Sequence, residues 1–406
     1  MPSTSHLHPS DLHGLSQLVF DGVIGTTSLV EQLHGNILRV ASPLGRTGLD
    51  PTRGLTRGVY RSIQGVTRVI GGGTRFAFER IVPRLGQRET TPQRERMLAV
   101  FNGVLGDHLE SSDNPLAIPM SLRQQGRVLT LEPGALARQL SQPGGRLLVA
   151  IHGLCMNDLQ WSPRPAEQGH CLPSRLSESH GYCPLYLNYN SGRHISSNGR
   201  ELAELLEQLV MAWPVPVDEL VLLGHSMGGL IARSACHYAH QAGHAWPKQL
   251  RKLIMLGSPH HGAPLERIGN KVDRLLGATP YSAPFTRLGR IRSAGITDLR
   301  HGNLLDEDWR DHDSHESPED RRQPVQHLAH VEYHAVAATT DLGPDSRRSR
   351  WIGDGLVPVP SALGEHPDPN RRLAIPASHQ LIVPATTHLG LLHHQQVHAT
   401  IERWLR

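Results

Sequence analysis

Apolar residues fall along this chain in two alternating rhythms. From residue 147 onward short unbroken apolar runs recur: Leu147-Leu148-Val149-Ala150-Ile151, Leu220-Val221-Leu222-Leu223, Leu253-Ile254-Met255-Leu256 and Leu381-Ile382-Val383. Pro184 to Tyr189 and Glu332 to Ala337 complete the series. Runs of this length without polar alternation are the mark of strands buried on both faces. Between them apolar residues recur three and four apart, as at Leu202, Leu205, Leu206, Leu209, Val210 and Trp213, where Pro214 and Pro216 close the pattern. Val397, Ile401, Trp404 and Leu405 repeat it at the end of the chain. Strands alternating with helices predict a doubly wound, mostly parallel α/β sheet. Ligands of such sheets lie at the C-terminal ends of the strands.

The first 144 residues read differently. Leu15, Leu18, Val19, Val23, Ile24, Leu29, Val30, Leu33 and Ile37 predict an amphipathic helix over 11–42, interrupted at Gly22 and Gly25. Tyr60, Ile63, Val66, Val69 and Ile70 anchor a second helix, which Gly71-Gly72-Gly73 is expected to break. A third is predicted over 93–112, then a hairpin over 116–131, then a turn at Gln142-Pro143-Gly144-Gly145. The expectation is a mainly helical extension, 1–144, followed by an α/β domain, 145–406. Residues 265–330 break the rhythm of the latter. Leu275, Leu276, Tyr281, Phe285, Leu288 and Ile291 precede a polar stretch there, and the segment is predicted to form a cap over the crevice.

Composition narrows the classes of partner. Of 406 residues, 41 are basic and 37 acidic, and a net charge of +4 gives no footprint for nucleic acid. No apolar run reaches the 18 residues of a spanning helix, and the N-terminus lacks a basic region followed by an apolar one. The cytoplasm is the expected compartment, with peripheral membrane contact left open by the amphipathic N-terminal stretch. Cys155, Cys171, Cys183 and Cys236 match no zinc spacing, and a Cys171–Cys183 bridge stays open. No metal site is expected: His394 and His398 stand four apart without a third ligand nearby, and His312 and His315 sit in a polar loop.

The chemistry concentrates at strand ends. Gly224-His225-Ser226-Met227-Gly228-Gly229 joins an apolar run to a helical pattern, the context of a nucleophile elbow. Glycines at 224 and 228 let strand and helix close on each other, and the strained turn pushes the Ser226 hydroxyl outward. The Met227 amide then heads a helix with its N–H free for an oxyanion. His152-Gly153 at the end of an earlier strand lets the Leu154 amide face the same point. Ser226, Asp354 and His388 follow in the order nucleophile, acid, base, with His388 as proton carrier and Asp354 as its orienting carboxylate. Asp341, Asp345 and Asp368 are rival acids, and Asp354 is preferred because Gly353 and Gly355 permit a turn that presents it. Cys155 has no elbow beneath it and reads as a pocket wall.

These motifs resemble the serine lipase and esterase branch of the α/β-hydrolases. His152-Gly153-Leu154, the six residues from Gly224, Gly257-Ser258-Pro259-His260-His261-Gly262, Gly353-Asp354-Gly355-Leu356-Val357 and Thr387-His388-Leu389 all carry the likeness. It is nearest to bacterial esterases grouped with GPI inositol-deacylase-like hydrolases and to triacylglycerol lipases, and it spans about residues 145–406. Asn102 to Asp107 and Asn114 to Ala117 also look like the N-terminal extension of the bacterial subgroup. The resemblance implies hydrolysis of carboxylic esters of small molecules or lipids through an acyl-enzyme, without an organic cofactor. The catalytic set would be Ser226, Asp354 and His388, the oxyanion hole Leu154 and Met227, and the substrate-binding residues His152, Cys155, His225 and His261. Gly390 stands where secreted lipases of this kind place a calcium-binding acid, so calcium is not expected. An acyltransferase with the same triad and a catalytically silent lipid-binding protein are the alternatives.

Overall fold

Among the described residues the buried runs assemble into one sheet of eight strands in the order β2-β1-β4-β3-β5-β6-β7-β8. This computed structural model describes residues 8–40, 55–81, 90–140, 142–161, 171–263, 293–310, 320, 322–342 and 352–406. The strands are β1 (Ser121–Gln124), β2 (Arg127–Val128), β3 (Arg146–Ile151), β4 (Cys183–Asn188), β5 (Glu219–His225), β6 (Leu250–Leu256), β7 (Glu332–Ala338) and β8 (Gln380–Val383). Every pairing from β4 to β8 is parallel, while β1 runs antiparallel to both β2 and β4. The predicted α/β fold is therefore the observed one. The hairpin lies a few residues from its expected strands, because Gln125 and Gly126, both at positive φ, make its turn.

The continuous apolar character of the strands has a direct cause. Leu147, Val149 and Ile151 face one core with Leu202, Leu206, Leu230 and Ile231. Leu148 and Ala150 face a second core with Leu172, Leu176, Val397 and Ile401. Helices α6 (Ile195–Ala212) and α7 (Met227–Ala242) supply the first layer. Helices α5 (Leu172–His180) and, at the C-terminus, Gln395–Trp404 supply the second. A strand covered on both faces has no solvent side to make polar.

Contacts divide the chain into Met1–Arg94 with Leu109–Leu116, and Glu95–His108 with Ala117–Arg406. The first unit holds α1 (Pro9–Val40) and α2 (Leu55–Ile81). Both run through the glycines expected to interrupt them. Each glycine costs about 1 kcal/mol relative to alanine, which packing between two long helices outweighs. Gly71 also has a use: a Cβ there would stand 3.2 Å from the Phe20 ring. The buried Asp11 carboxylate takes a two-pronged bond from Arg94, at 2.8 and 2.7 Å, which ties the start of α1 to the start of α3 (Pro92–Ser111).

All four cysteines are free, so the Cys171–Cys183 bridge does not form. Cys183 Sγ instead accepts from Gln124 Nε2 across the β1–β4 edge. Of the predicted cap, Leu275, Leu276, Tyr281, Phe285, Leu288 and Ile291 lie outside the described residues, as do His312, His315 and Asp345. The described part contains the helix Ala294–His301, capped by the Ser293 side chain. No helix among the described residues is long and apolar enough to cross a membrane.

Candidate active site

Ser226 sits where β5 ends and α7 begins, at φ 55° and ψ −121°. A non-glycine residue there is strained, and the surrounding backbone holds it. The Ser226 amide donates to Leu256 O at 2.8 Å, and its carbonyl accepts from Gly229 N at 3.2 Å. The flanking glycines are sterically required: a Cβ at Gly224 would run into the Gly229 backbone, and one at Gly228 into the Ile151 carbonyl. Register places Gly224 opposite Ile151, so the elbow and the loop after β3 emerge side by side.

The acid and the base come from the loops after β7 and β8. Asp354 follows β7 on a turn between Gly353 (φ 55°) and Gly355 (φ 93°). Its Oδ1 accepts from the Leu356 and Val357 amides, both at 2.9 Å, and its Oδ2 lies 2.6 Å from His388 Nδ1. The Asp354 carbonyl also accepts from His388 N at 3.1 Å. A carboxylate only accepts, so His388 carries its proton on Nδ1 and leaves Nε2 as a lone pair. Asp354 and His388 are buried, and Ser226 exposes 8% of its surface. Of the rival acids, Asp368 caps a short 3-10 turn by accepting from Asn370 N. Asp341 is half-buried and its carbonyl accepts from Ala385 N.

The loop after β3 is braced from below. His152 is fully buried, its ring stacked on Tyr189 at 4.2 Å, and the Tyr189 hydroxyl donates to the His152 carbonyl at 2.7 Å. Its Nδ1 lies 2.8 Å from the Gly153 carbonyl oxygen. Gly153 backs closely on the elbow, since a Cβ there would be 3.0 Å from Ser226 Cβ. The Cys155 amide donates to Ser191 Oγ at 3.1 Å. The first amide of α7, at Met227, has no acceptor within its own helix, and Leu154 is half-buried in the facing loop.

Burial sets the protonation of the neighbours. His225 is fully buried, with Nε2 3.1 Å from the His388 carbonyl, and desolvation drives its pKa down to about 3. His152 is driven down to about 4 for the same reason, and the Cys155 thiol up to about 12. Both imidazoles are therefore neutral at pH 7 and Cys155 is no thiolate. Of the residues expected to bind substrate, His152 and His225 each bond the surrounding chain through one ring nitrogen. His261 stands with Arg322 and His366: its Nδ1 is 3.5 Å from Arg322 Nη2 and its ring 4.8 Å from that of His366. Tyr189 and Ser191 were not singled out by sequence reasoning. The polar run after β4, Asn188 to Arg193, is the signal that marks them.

As for metals, His398 Nε2 donates to Leu392 O and His394 Nδ1 accepts from Gln396 N, so neither nitrogen is free to coordinate. Glu332, His334 and His379 come together near the start of β7. The Lys252 ammonium, 2.6 Å from Glu332 Oε2, already occupies that carboxylate, and the two rings stack at 4.2 Å.

Residues 142–335 match the family model described as the PGAP1-like alpha/beta domain. The match bears out the resemblance read from the motifs, and it includes Ser226 but ends before Asp354 and His388. No curated protein matches the chain. Solved structures that resemble it include the mature lipase BlEst2 of Bacillus licheniformis, 18% identical, covering 66% of this chain and 95% of that one at a TM-score of 0.40. A thermophilic esterase of Thermogutta terrifontis is 16% identical, over 65% and 91%, at 0.35. Alpha/beta hydrolase domain-containing protein 10 from mouse is 12% identical, over 65% and 91%, at 0.33.

Proposed function

We propose that the chain is a serine hydrolase of carboxylic esters. Ser226 is the nucleophile, His388 the general base and then acid, and Asp354 the carboxylate that fixes the His388 tautomer. Ser226 Oγ attacks the ester carbonyl while His388 Nε2 takes its proton. The Leu154 and Met227 amides hold the oxyanion. On collapse the leaving alcohol receives the proton from His388, and the acyl group stays on Ser226. Water, deprotonated by His388, then releases the acid and restores the serine.

The observation that carries this reading is the strained turn at Ser226, with a histidine already oriented by a carboxylate on the neighbouring loops. Strain at a solvent-reaching serine stabilises nothing and is kept only where surrounding structure imposes it. The burial of His152 and His225 gives both the part of bracing the active-site loops, with Cys155 as wall. A cap on the hydrolase body belongs to the same reading, while the expected boundary at 144 cuts through the unit that holds Glu95–His108 and Ala117–Arg406. A p-nitrophenyl ester series from short to long acyl chains, run beside fluorophosphonate labelling, tests it. Wild-type chain should turn over at least one ester and take up one label per chain, and Ser226→Ala should do neither. Turnover by Ser226→Ala within tenfold of wild type would remove Ser226 from the mechanism.

A further inference from the structure

Helix α7 carries a second polar feature two turns beyond the elbow. Arg233 is buried, with 6% of its surface exposed, and lines a cleft of about 660 Å³. His260, equally buried, lines it from the loop after β6, and Arg322, Arg371 and Arg372 from later in the chain. Ser226, Asp354 and His388 are not part of its wall.

A buried guanidinium is costly unless something answers its charge and its N–H groups. Arg233 Nη1 lies 3.3 Å from His260 Nδ1, and its Nε has no partner among the described residues. Arginine only donates, so His260 Nδ1 accepts and its ring proton sits on Nε2. That Nε2–H is buried and also lacks a partner. Burial lowers the Arg233 pKa to about 10, which leaves it charged at neutral pH, and lowers His260 well below its ordinary value, which leaves it neutral.

The acids nearby are engaged elsewhere. Arg322 and Arg371 share Asp320, at 2.7 and 3.1 Å, and Asp368 lies 3.6 Å from Arg371 Nε. Asp308, the one acid lining the cleft among the described residues, accepts from the Leu304, Leu305 and Gln323 amides. Among the described residues Arg372 donates to the carbonyls of His366 and Pro367. Arg233 inside and Arg372 at the rim thus make no hydrogen bond to a carboxylate among the described residues, and Asp308, whose charge acts on Arg233, still leaves the four guanidiniums lining the cleft in excess. Surplus donors under net positive charge exclude a cation and call for an oxyanion with several acceptor atoms.

We propose that this cleft binds a phosphate group, free or carried on an organic ligand, with Arg233 and His260 Nε2–H as inner donors and Arg372 at the rim. A phosphomonoester dianion brings two negative charges and several acceptor atoms to this excess of guanidiniums, which a single carboxylate does not. The volume exceeds that of phosphate alone and leaves room for an organic remainder.

Isothermal titration of the full chain at fixed ionic strength tests this, with three probes: inorganic phosphate, glycerol 3-phosphate, and phosphatidylcholine vesicles with and without phosphatidic acid. One saturable site per chain is expected for at least one probe, weakened tenfold or more in Arg233→Gln and in Arg372→Gln. Tightest binding of glycerol 3-phosphate assigns a soluble phosphorylated ligand, tightest binding of phosphatidic acid vesicles a lipid headgroup, and tightest binding of inorganic phosphate the free ion. If Arg233→Gln fails to fold, the exposed Arg372→Gln decides alone. No saturable binding of any probe, or unchanged affinity in folded Arg372→Gln, overturns the proposal.

Discussion

The elbow at Ser226 and the cleft at Arg233 draw on the same helix and treat their polar groups in opposite ways. Around the Asp354–His388 pair the groups answer one another: both Asp354 oxygens accept bonds, and the His388 amide, carbonyl and Nδ1 are all engaged, while His152 Nε2 and His225 Nδ1 behind it are lone pairs without a donor among the described residues. Around Arg233 the donors outnumber what the chain offers them. A self-satisfied network holds its geometry with no ligand present, as a reacting serine and base require. A set of unanswered donors carries a desolvation cost that a bound anion relieves. By this contrast the first arrangement is suited to turnover and the second to binding.

The strongest way to break the comparison is at Asp354. If the network fixes the His388 tautomer, Asp354→Asn favours the wrong one and kcat for ester hydrolysis falls by about 10⁴. Asp341→Asn should change kcat less than about threefold, because a carboxylate away from His388 Nδ1 cannot select its tautomer. Steady-state kinetics on one p-nitrophenyl ester checks both, and the reverse pattern would hand the role to Asp341.

A second test separates the strained turn from the side chains it presents. Gly228→Ala puts a methyl against the Ile151 carbonyl in the strand beside the elbow. Strand and helix must move apart, at a cost of roughly 3 kcal/mol or more. Urea unfolding should show that loss. A Gly228→Ala variant as stable as wild type would mean that the turn is not held from both sides.

Acid probes the buried imidazoles that brace the active-site loops. His152 and His225 have folded pKa values lowered to about 4 and about 3, below the 6.5 of an exposed histidine. Between 6.5 and those values the unfolded chain binds more protons than the folded one. Their contribution to stability is therefore complete above pH 6.5 and shrinks as pH falls toward the folded values. Each should lose about 2 kcal/mol between pH 7 and pH 5. Urea unfolding at the two pH values measures the change, and equal stability at both would place these rings in contact with water.

The two regions also differ in how far the sequence reveals them. Gly224 to Gly229 is contiguous, and its flanking apolar run and helical pattern suffice to predict an elbow. Asp354 between two glycines is likewise a local signal, and the rivals Asp341 and Asp368 are set aside by the same criterion. The fold is legible for a related reason: strands covered on both faces leave unbroken apolar runs. The cleft leaves no such trace. Arg233, His260, Arg322 and Arg372 come from separate segments, and each alone is an ordinary polar residue in a helix or loop. Only the fold reveals that Arg233 is buried with no carboxylate hydrogen-bonded to it among the described residues. His261, which the resemblance places among the substrate-binding residues, lies with its Nδ1 3.5 Å from Arg322 Nη2, a neighbour that the sequence around it does not announce. The glycines of α1 and α2 misled for the converse reason, since local propensity gave way to packing along two long helices.

The smallest expected effect sharpens the comparison most. If the cleft takes phosphate, the ion binds the folded chain and not the unfolded one. At ten times its Kd it should stabilise the protein by about 1.4 kcal/mol, read as a shift of the urea midpoint. The shift should vanish in Arg372→Gln if that variant keeps the wild-type fold. Hydrolysis of a short, uncharged ester should meanwhile change less than about twofold, because no triad residue lines the cleft. The two features still share α7, and a Cβ at Gly257, in the loop that leads to His260, would stand 3.2 Å from the His388 ring. Movement of His260 on phosphate binding therefore has a route to the base. A large change in kcat with phosphate, abolished in Arg372→Gln, would show that route in use and make the two regions one site. An unchanged rate beside a stabilised fold would keep them as a turnover site and a separate binding site.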